Sequence, residues 1–488
     1  MDYAAWLKDP AAVRVVLAEV QVLRGGVETT LFLSTRPYTT TPTDSKPNQY
    51  YEPVIKTGFE FTEELSLDGQ GSLSGGDIEI VNVNGVRDDW LNFIWDNNNI
   101  KAWHGDIRWP LSEFKMIFNG VVASIGCKSR DSLNITLRDK LQRLNTPITD
   151  EKIGTGATSD EVINLTFGEV HNVAPSLSNP VTLEYQVHNG SIEDFIEVRD
   201  NGKPVSIAKN LGNGRFTLTR ASAGTITASV QGDKGGGVYR NTISALVQRI
   251  TTGFGQADSR FTVDDLDTAN LAQFEQSFPQ PVGVYAEGRT NVLSLCQELA
   301  ASVDAQLVMS RIGKLRLLQI GMQGNGGERV MIEDNIMVER SLTIKERPFV
   351  KAAVMLGFNK CWSVQTGLLT SIPEEHKKLY ETEWLTATAT STQVQAAYKL
   401  NAAPVQVDTM LQRRTDAMSE AQRRLNLWSV PRTVFEFEGT TELFGVLELG
   451  TPVTLKTKRF GLQDGKPGIV ISLAHDWVTG RVKVGVLI

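Results

Sequence analysis

The chain has 488 residues, enough for about three domains at roughly 150 residues each. Apolar residues make up 41% and charged residues 22%, which excludes a mainly disordered chain. A formal net charge of −7 excludes a chain-wide basic footprint for gripping nucleic acid.

The opening segment, MDYAAWLKDP, mixes acids, a base and a proline with no apolar run behind it, so no secretory signal is expected. No stretch approaches the ~18 consecutive apolar residues of a spanning helix. Cys127, Cys296 and Cys361 lie far apart and no CxxC occurs. Neither a disulfide framework nor a zinc site is expected, and the chain reads as one made in a reducing cytoplasm.

Residues 11–35 predict a hairpin turning at Gly25-Gly26. The segment RPYTTTPTDSKPNQYYEP is too polar for a core and predicts a long surface loop. VIKTGFEFTEELSL and DIEIVNV predict strands on either side of a Gly/Ser loop at 68–76. VRDDWLNFIWD predicts a helix with Trp90, Phe93 and Ile94 on one face. In DSLNITLRDKLQRLNTPI, Leu133, Ile135 and Leu137 alternate as a strand, and Leu141 and Leu144 continue as a short helix. Residues 1–149 therefore form a β-dominated N-terminal domain.

Residues 150–240 carry short alternating strands with turn signals at Asn201-Gly202 and Asn213-Gly214, the pattern of a β-sandwich-like insert. Gly235-Gly236-Gly237 then marks a hinge or linker. A mixed α/β domain follows over 241–335. NTISALVQRIT and NVLSLCQELAASV have helical apolar spacing, and AQLVMS with KLRLLQI predicts a hairpin. Cys296 falls on the apolar face of the second helix, where a buried structural thiol is expected rather than a nucleophile.

Residues 336–488 make the last domain. Strands surround a charged loop, EEHKKLYETE, before an amphipathic helix at 411–428 with Leu411, Met418, Ala421, Leu425 and Trp428 as its apolar positions. Arg413, Arg414, Arg423 and Arg424 cluster on this helix. They read either as a solvated basic rim or as an interface with an acidic neighbouring subunit. Four strand-like runs separated by Gly-bearing turns close the sequence as a small β-barrel.

Catalytic constellations are missing. GLQDGKPG at 461–468 is one residue short of a phosphate loop, has Pro467 where Ser or Thr would hold magnesium, and sits between strands. GFGQAD and GMQGNGGER stand in the wrong context for a dinucleotide fingerprint. Asp264, Asp265 and Asp267 lack the spacing of a calcium loop, and Asp264 or Asp265 is expected to cap the following helix. The histidines at 104, 171, 188, 376 and 475 have no metal-ligand spacing. No catalytic residue, cofactor or metal site is expected.

Three stretches carry a family resemblance: YYEPVIKTG through HGDIRWPLSEFKMIFNGVV to LRDKLQRLN; GVYAEGRTNVLSLCQELAASVDAQLVMSRIGKLRLLQI; and AMSEAQRRLNLWSVPRTVFEF through LELGTPVTLKTKRFGL to DWVTGRVKVGVLI. In these the chain resembles the central tail hub (baseplate hub) proteins of long-tailed non-contractile bacteriophages, related to the hubs of gene-transfer-agent particles. The resemblance implies a β-dominated α+β, multidomain fold with two tube-like β-barrel domains, one at each end of the chain. It implies a non-enzymatic homotrimer at the virion tail tip that continues the tail tube and passes viral DNA without specific binding. Implied partners are a distal tail protein, a tape-measure protein and a central fibre or tip protein. Arg413, Arg414, Arg423 and Arg424 become candidate intersubunit contacts. Two other functions stay open: a tail-tip glycan or peptidoglycan hydrolase, and a receptor-binding adhesin acting through the 150–240 insert.

Overall fold

A computed structural model of the chain describes residues 2–67, 69, 75–154, 160–324, 328–400 and 403–488. Positions 68 and 70–74 of the expected Gly/Ser loop, and 325–327 of GMQGNGGER, lie outside the described residues. The fold is β-dominated and divides into two compact units, each assembled from separated stretches of sequence. The first comprises Met1–Arg143, Gln306–Phe349 and Pro431–Ile488; the second comprises Leu144–Ala305 and Val350–Val430.

The first unit is organised by one 13-stranded sheet. Its strands are β1 (Arg14–Arg24), β2 (Val27–Ser34), β3 (Ile55–Glu64), β4 (Gly75–Val81), β5 (Asn99–Asp106), β6 (Lys115–Ser129), β7 (Ser132–Arg138), β8 (Val330–Ile332), β9 (Thr343–Glu346), β10 (Val434–Thr440), β11 (Pro452–Leu455), β12 (Lys466–Asp476) and β13 (Arg481–Leu487). Their order is β2-β1-β5-β6-β7-β4-β3-β12-β13-β10-β9, with β11 branching off between β12 and β8. The two regions expected as tube-like barrels both contribute strands to this one sheet. β3 and β12 run antiparallel with Glu60 opposite Asp476 and Glu64 opposite Ser472.

The expected first hairpin is present. Arg24 pairs with Val27, and Gly25 and Gly26 both have positive φ (57° and 83°), the two-residue turn whose twist matches its strands. A single apolar core spans both strand sets, with Phe59, Phe61 and Phe118 from the early strands and Phe437, Phe444 and Trp477 from the late ones. The polar loop after β2 is more deeply placed than its composition predicts. Tyr38 and Tyr51 are buried; Tyr38 donates to the Trp109 carbonyl at 2.9 Å, and Tyr51 to Glu19 Oε1 at 2.7 Å. Burial of a phenol is tolerated because its hydroxyl keeps a partner. The helix expected around Trp90 is only a 3₁₀ segment, Asp88–Asn92, in which Trp90 is buried while Ile94 beyond it is exposed.

The second unit contains the expected sandwich. One sheet orders Lys203–Pro204, Ile192–Asp200, Ile226–Asp233, Leu165–Val173 and Gly283–Ala286, so its last strand comes from beyond residue 240. The other orders Ser176–Asn179, Glu184–Gln186, Arg215–Leu218 and Ile207–Asn210. Phe195 and Phe216, one from each sheet, meet edge to face with ring centroids 5.1 Å apart. Gly168 has φ +66°, and a Cβ there would lie 2.1 Å from the Val282 carbonyl, so the last strand of the five-stranded sheet closes against a position only glycine suits.

The helices Ile243–Gly253 and Val292–Ala301 form as their spacing predicts, burying Leu246, Val247 and Ile250 on one and Leu295, Cys296 and Leu299 on the other. Two local expectations fail. Asp267, not Asp264 or Asp265, caps the helix Thr268–Ser277, accepting from Asn270 N at 3.1 Å, while Asp265 closes a capping box with Thr262 one turn earlier. The charged stretch EEHKKLYETE is not a loop. Glu374–Glu381 is a helix, with acids in its first turn and Tyr380 buried. The triple glycine at 235–237 turns the chain inside this unit.

Candidate assembly surfaces

The helix Arg414–Trp428 presses Ala421 and Leu425 onto Val354, Leu356 and Ala389 of a three-stranded sheet. Met418, expected on the apolar face, is exposed. The four arginines separate into two kinds. Arg413 and Arg414, at the helix start, are exposed. Arg423 and Arg424 are committed within the unit.

Arg424 is buried together with Glu420. Its Nε donates to Glu420 Oε1 at 2.7 Å, and its Nη2 donates to the carbonyls of Ala301 at 2.8 Å and Ser302 at 3.2 Å. Arg423 grips the same carboxylate at 2.8 and 2.9 Å and reaches Asp304 Oδ2 at 3.1 Å. The Arg424 guanidinium thus satisfies the last carbonyl of the helix Val292–Ala301 and that of its C-cap Ser302, where the helix dipole favours positive charge. Burial disfavours the charged form of Arg423, but the hydrogen bonds and charges of Glu420 and Asp304 outweigh it and raise its pKa. Glu420 stands three and four residues before the two arginines, a spacing visible in the sequence. Asp304 is distant in sequence and carries no local signal.

At the two ends of the big sheet, β2 and β9 are the terminal strands of the ladder. The upper part of β2 is covered, since Glu52 donates to the Phe32 carbonyl and Ser34 donates to the Glu52 carbonyl. β9 reads TIKE and is exposed along its length. Lys345 within it reaches Glu64 Oε1 at 2.9 Å. A short, charged terminal strand resists indiscriminate pairing but remains open to a specific partner.

Among the described residues no group of three or more His, Cys, Asp or Glu side chains is placed to hold a metal ion. No described helix is long and apolar enough to cross a membrane. His104 and His475 are buried against Trp477, with ring centroids 5.4 and 5.1 Å from it. Burial, helped by nearby Arg14, lowers the His104 pKa to about 3; burial, helped by Arg311, holds His475 well below the usual range. Both are neutral core residues. Cys296 is a buried thiol as expected, with its pKa pushed up by burial.

A groove of about 510 Å³ in the first unit is lined by Glu60, Glu436, Glu438, Asp476, Arg481 and Lys483, among others. Its charges are largely paired. Lys483 meets Glu436 at 2.7 Å and Arg481 meets Glu438 at 3.7 Å. Asp476 caps its own turn through Val478 N at 3.0 Å and Thr479 N at 3.1 Å.

No family model matches the chain, and no curated protein matches it. Among solved structures it is similar to a 43 kDa tail protein of prophage MuSo2 from Shewanella oneidensis, at 10% identity over 97% of this chain and 98% of that one, TM-score 0.41. A tail protein from Neisseria meningitidis MC58 is similar at 9% identity over 98% and 97% of the two chains, TM-score 0.40. A chain of the virion of a native gene transfer agent particle is similar at 12% identity over 71% and 91%, TM-score 0.43.

Proposed function

We propose that this chain is a structural virion protein, the hub at the tail tip or baseplate of a long-tailed bacteriophage, as its sequence resemblance implies. The observation that carries the reading is the β3–β12 ladder, which joins an early and a late strand set side by side in one subunit. A subunit with two such sets can occupy two adjacent positions in a ring, so three copies would continue a sixfold tube. Heterologous contacts that close in this way leave few strand edges bare. The distal tail protein, the tape-measure protein and a central fibre or tip protein would be its neighbours, and viral DNA would pass without being held. A channel that releases DNA avoids basic linings, because each phosphate contact adds affinity.

In this reading the protein is non-catalytic. Arg413 and Arg414, being exposed, are the arginines of the 411–428 region that would touch a neighbouring subunit. Arg423 and Arg424 would act indirectly, by fixing that helix. Electron microscopy of the assembled particle tests the proposal. Three copies at the end of the tube are expected, whereas six would fit a distal tail ring instead. Robust turnover of cell-wall or polysaccharide substrates by the purified protein would move the assignment to an enzyme.

A further inference from the structure

Two exposed loops of the first unit have opposite character. The segment from the end of β11 to the first residue of β12 carries Lys456, Lys458, Arg459 and Lys466 against a single acid, Asp464, in a chain whose net charge is negative. All four bases are exposed, and among the described residues Lys456 pairs with an acid, Glu333 at 3.2 Å. At the tip stands Phe460, exposed and with φ +55°. That region of backbone space is costly for a bulky side chain and persists where the surroundings impose it. The strain presents an aromatic ring outward, braced by Phe435 at 5.9 Å and by the Arg459 guanidinium at 5.5 Å.

The second loop joins β4 to β5. Val86 and Leu91 are exposed there beside the exposed acids Asp88 and Asp89. Arg24 sits 3.8 Å from Asp89, a loose and solvent-exposed pair. The nearby base Arg87 is turned away, paired with Glu52. This loop is tied to the β2 end of the sheet, because Leu23 and Ile94 exchange backbone hydrogen bonds at 3.0 Å. The basic loop connects β11, which branches off β12, to β12 itself, within the late strand set. One loop offers bases around an exposed aromatic; the other offers acids around exposed aliphatics.

We infer that these loops are the two halves of one head-to-tail contact, in which the Phe460 loop of one copy docks on the Asp88-Asp89 loop of a second copy. Lys458 and Arg459 would face Asp88 and Asp89, and the Phe460 ring would cover Val86 and Leu91. Two different surfaces meeting in this way give a heterologous interface, which closes as a ring when the rotation between copies divides the full turn evenly. The inference rests on the ring reading above and adds the surface that makes it. Charge complementarity would set partner choice and register, and the buried ring would be the anchor.

The test uses the full chain, mixed from isotopically light and heavy preparations and treated with a zero-length carboxylate–amine cross-linker. Crosslinks of mixed isotope joining Lys458 or Lys466 to Asp88 or Asp89 are expected. K458E/R459E is expected to weaken self-association at least about tenfold, and adding D88K/D89R is expected to restore it. A ring that forms without those crosslinks, or that is indifferent to K458E/R459E, overturns this contact and leaves the hub reading standing. A chain that stays monomeric at the highest attainable concentration and in the assembled particle overturns both.

Discussion

Glu420 and Arg424, one helical turn apart, form a hydrogen-bonded ion pair at 2.7 Å with both side chains buried. Removing one partner of such a pair strands the other charge, which costs about 3–5 kcal/mol, whereas an apolar replacement of both is often close to neutral. Glu420→Leu is therefore expected to destabilise the unit that contains it by about that amount. Adding Arg424→Met should recover much of the loss. Urea unfolding of the parent protein and the two variants checks this, and a Glu420→Leu cost under about 1 kcal/mol would refute the account.

Two buried carboxylates set the acid side of the stability profile. The Arg108 hydrogen bonds hold Asp106 well below the usual carboxylate range, with Trp6 Nε1 at 3.0 Å adding a further bond. Burial pushes Asp233 up, but hydrogen bonds from His188 and Arg249 outweigh it and leave its pKa well below that range. Both folded values lie below the unfolded one. Their contribution is complete above the unfolded carboxylate value of about 3.9 and fades as pH falls toward the folded values. Asp106→Asn and Asp233→Asn should each lower stability at pH 7 and flatten its fall below about pH 4, read from denaturant midpoints across pH.

His104 and His475 act at milder acidity. Each has a folded pKa below the unfolded value of about 6.5, so the unfolded chain takes up protons first as pH falls. Stability is complete above about pH 6.5 and drops below it by up to about 1.4 kcal/mol per pH unit for each histidine. His104→Phe should lose the 2.7 Å bond with Tyr3 and weaken the protein at pH 7, yet show a shallower fall between pH 6.5 and 4. An unchanged slope would mean that His104 is charged in the fold.

Cysteine accessibility gives a simple count. Cys127 is exposed, while Cys296 and Cys361 are buried with raised pKa values, chiefly from burial. One thiol should react with an aromatic disulfide reagent in the native protein and three after denaturation. Fast reaction of two or more native thiols would show that the helix Val292–Ala301 or the Cys361 region opens readily.

Local patterns were readable where the neighbours that matter are close in sequence. The Gly25-Gly26 hairpin, the helix Ile243–Gly253 and the buried face carrying Cys296 follow directly from turn chemistry and 3.6-residue spacing. The cap at Asp267 was misread because three acids lie within four residues and only geometry decides which oxygen meets Asn270 N. The helix Glu374–Glu381 was missed because its residues are mostly charged, and one buried tyrosine gives no periodicity. Burial of Tyr38 and Tyr51 depends on partners at Trp109 and Glu19 that the local composition cannot reveal. The same holds for the candidate contacts. Arg413 and Arg414 are exposed, as a rim reading expects, while the commitment of Arg423 and Arg424 needs Asp304 and the end of a distant helix.

The β3–β12 ladder also governs when this molecule can become native. A ribosome that has released residues 55–64 has made one side of the joint, but the other side arrives some four hundred residues later. Throughout that interval β3 would present an unpaired edge, and the core it shares with the last strands would lack one wall. Contacts so far apart in sequence make for slow folding. The first unit therefore completes its fold only after the final strands emerge, and a chain broken off before β12 should aggregate rather than assemble.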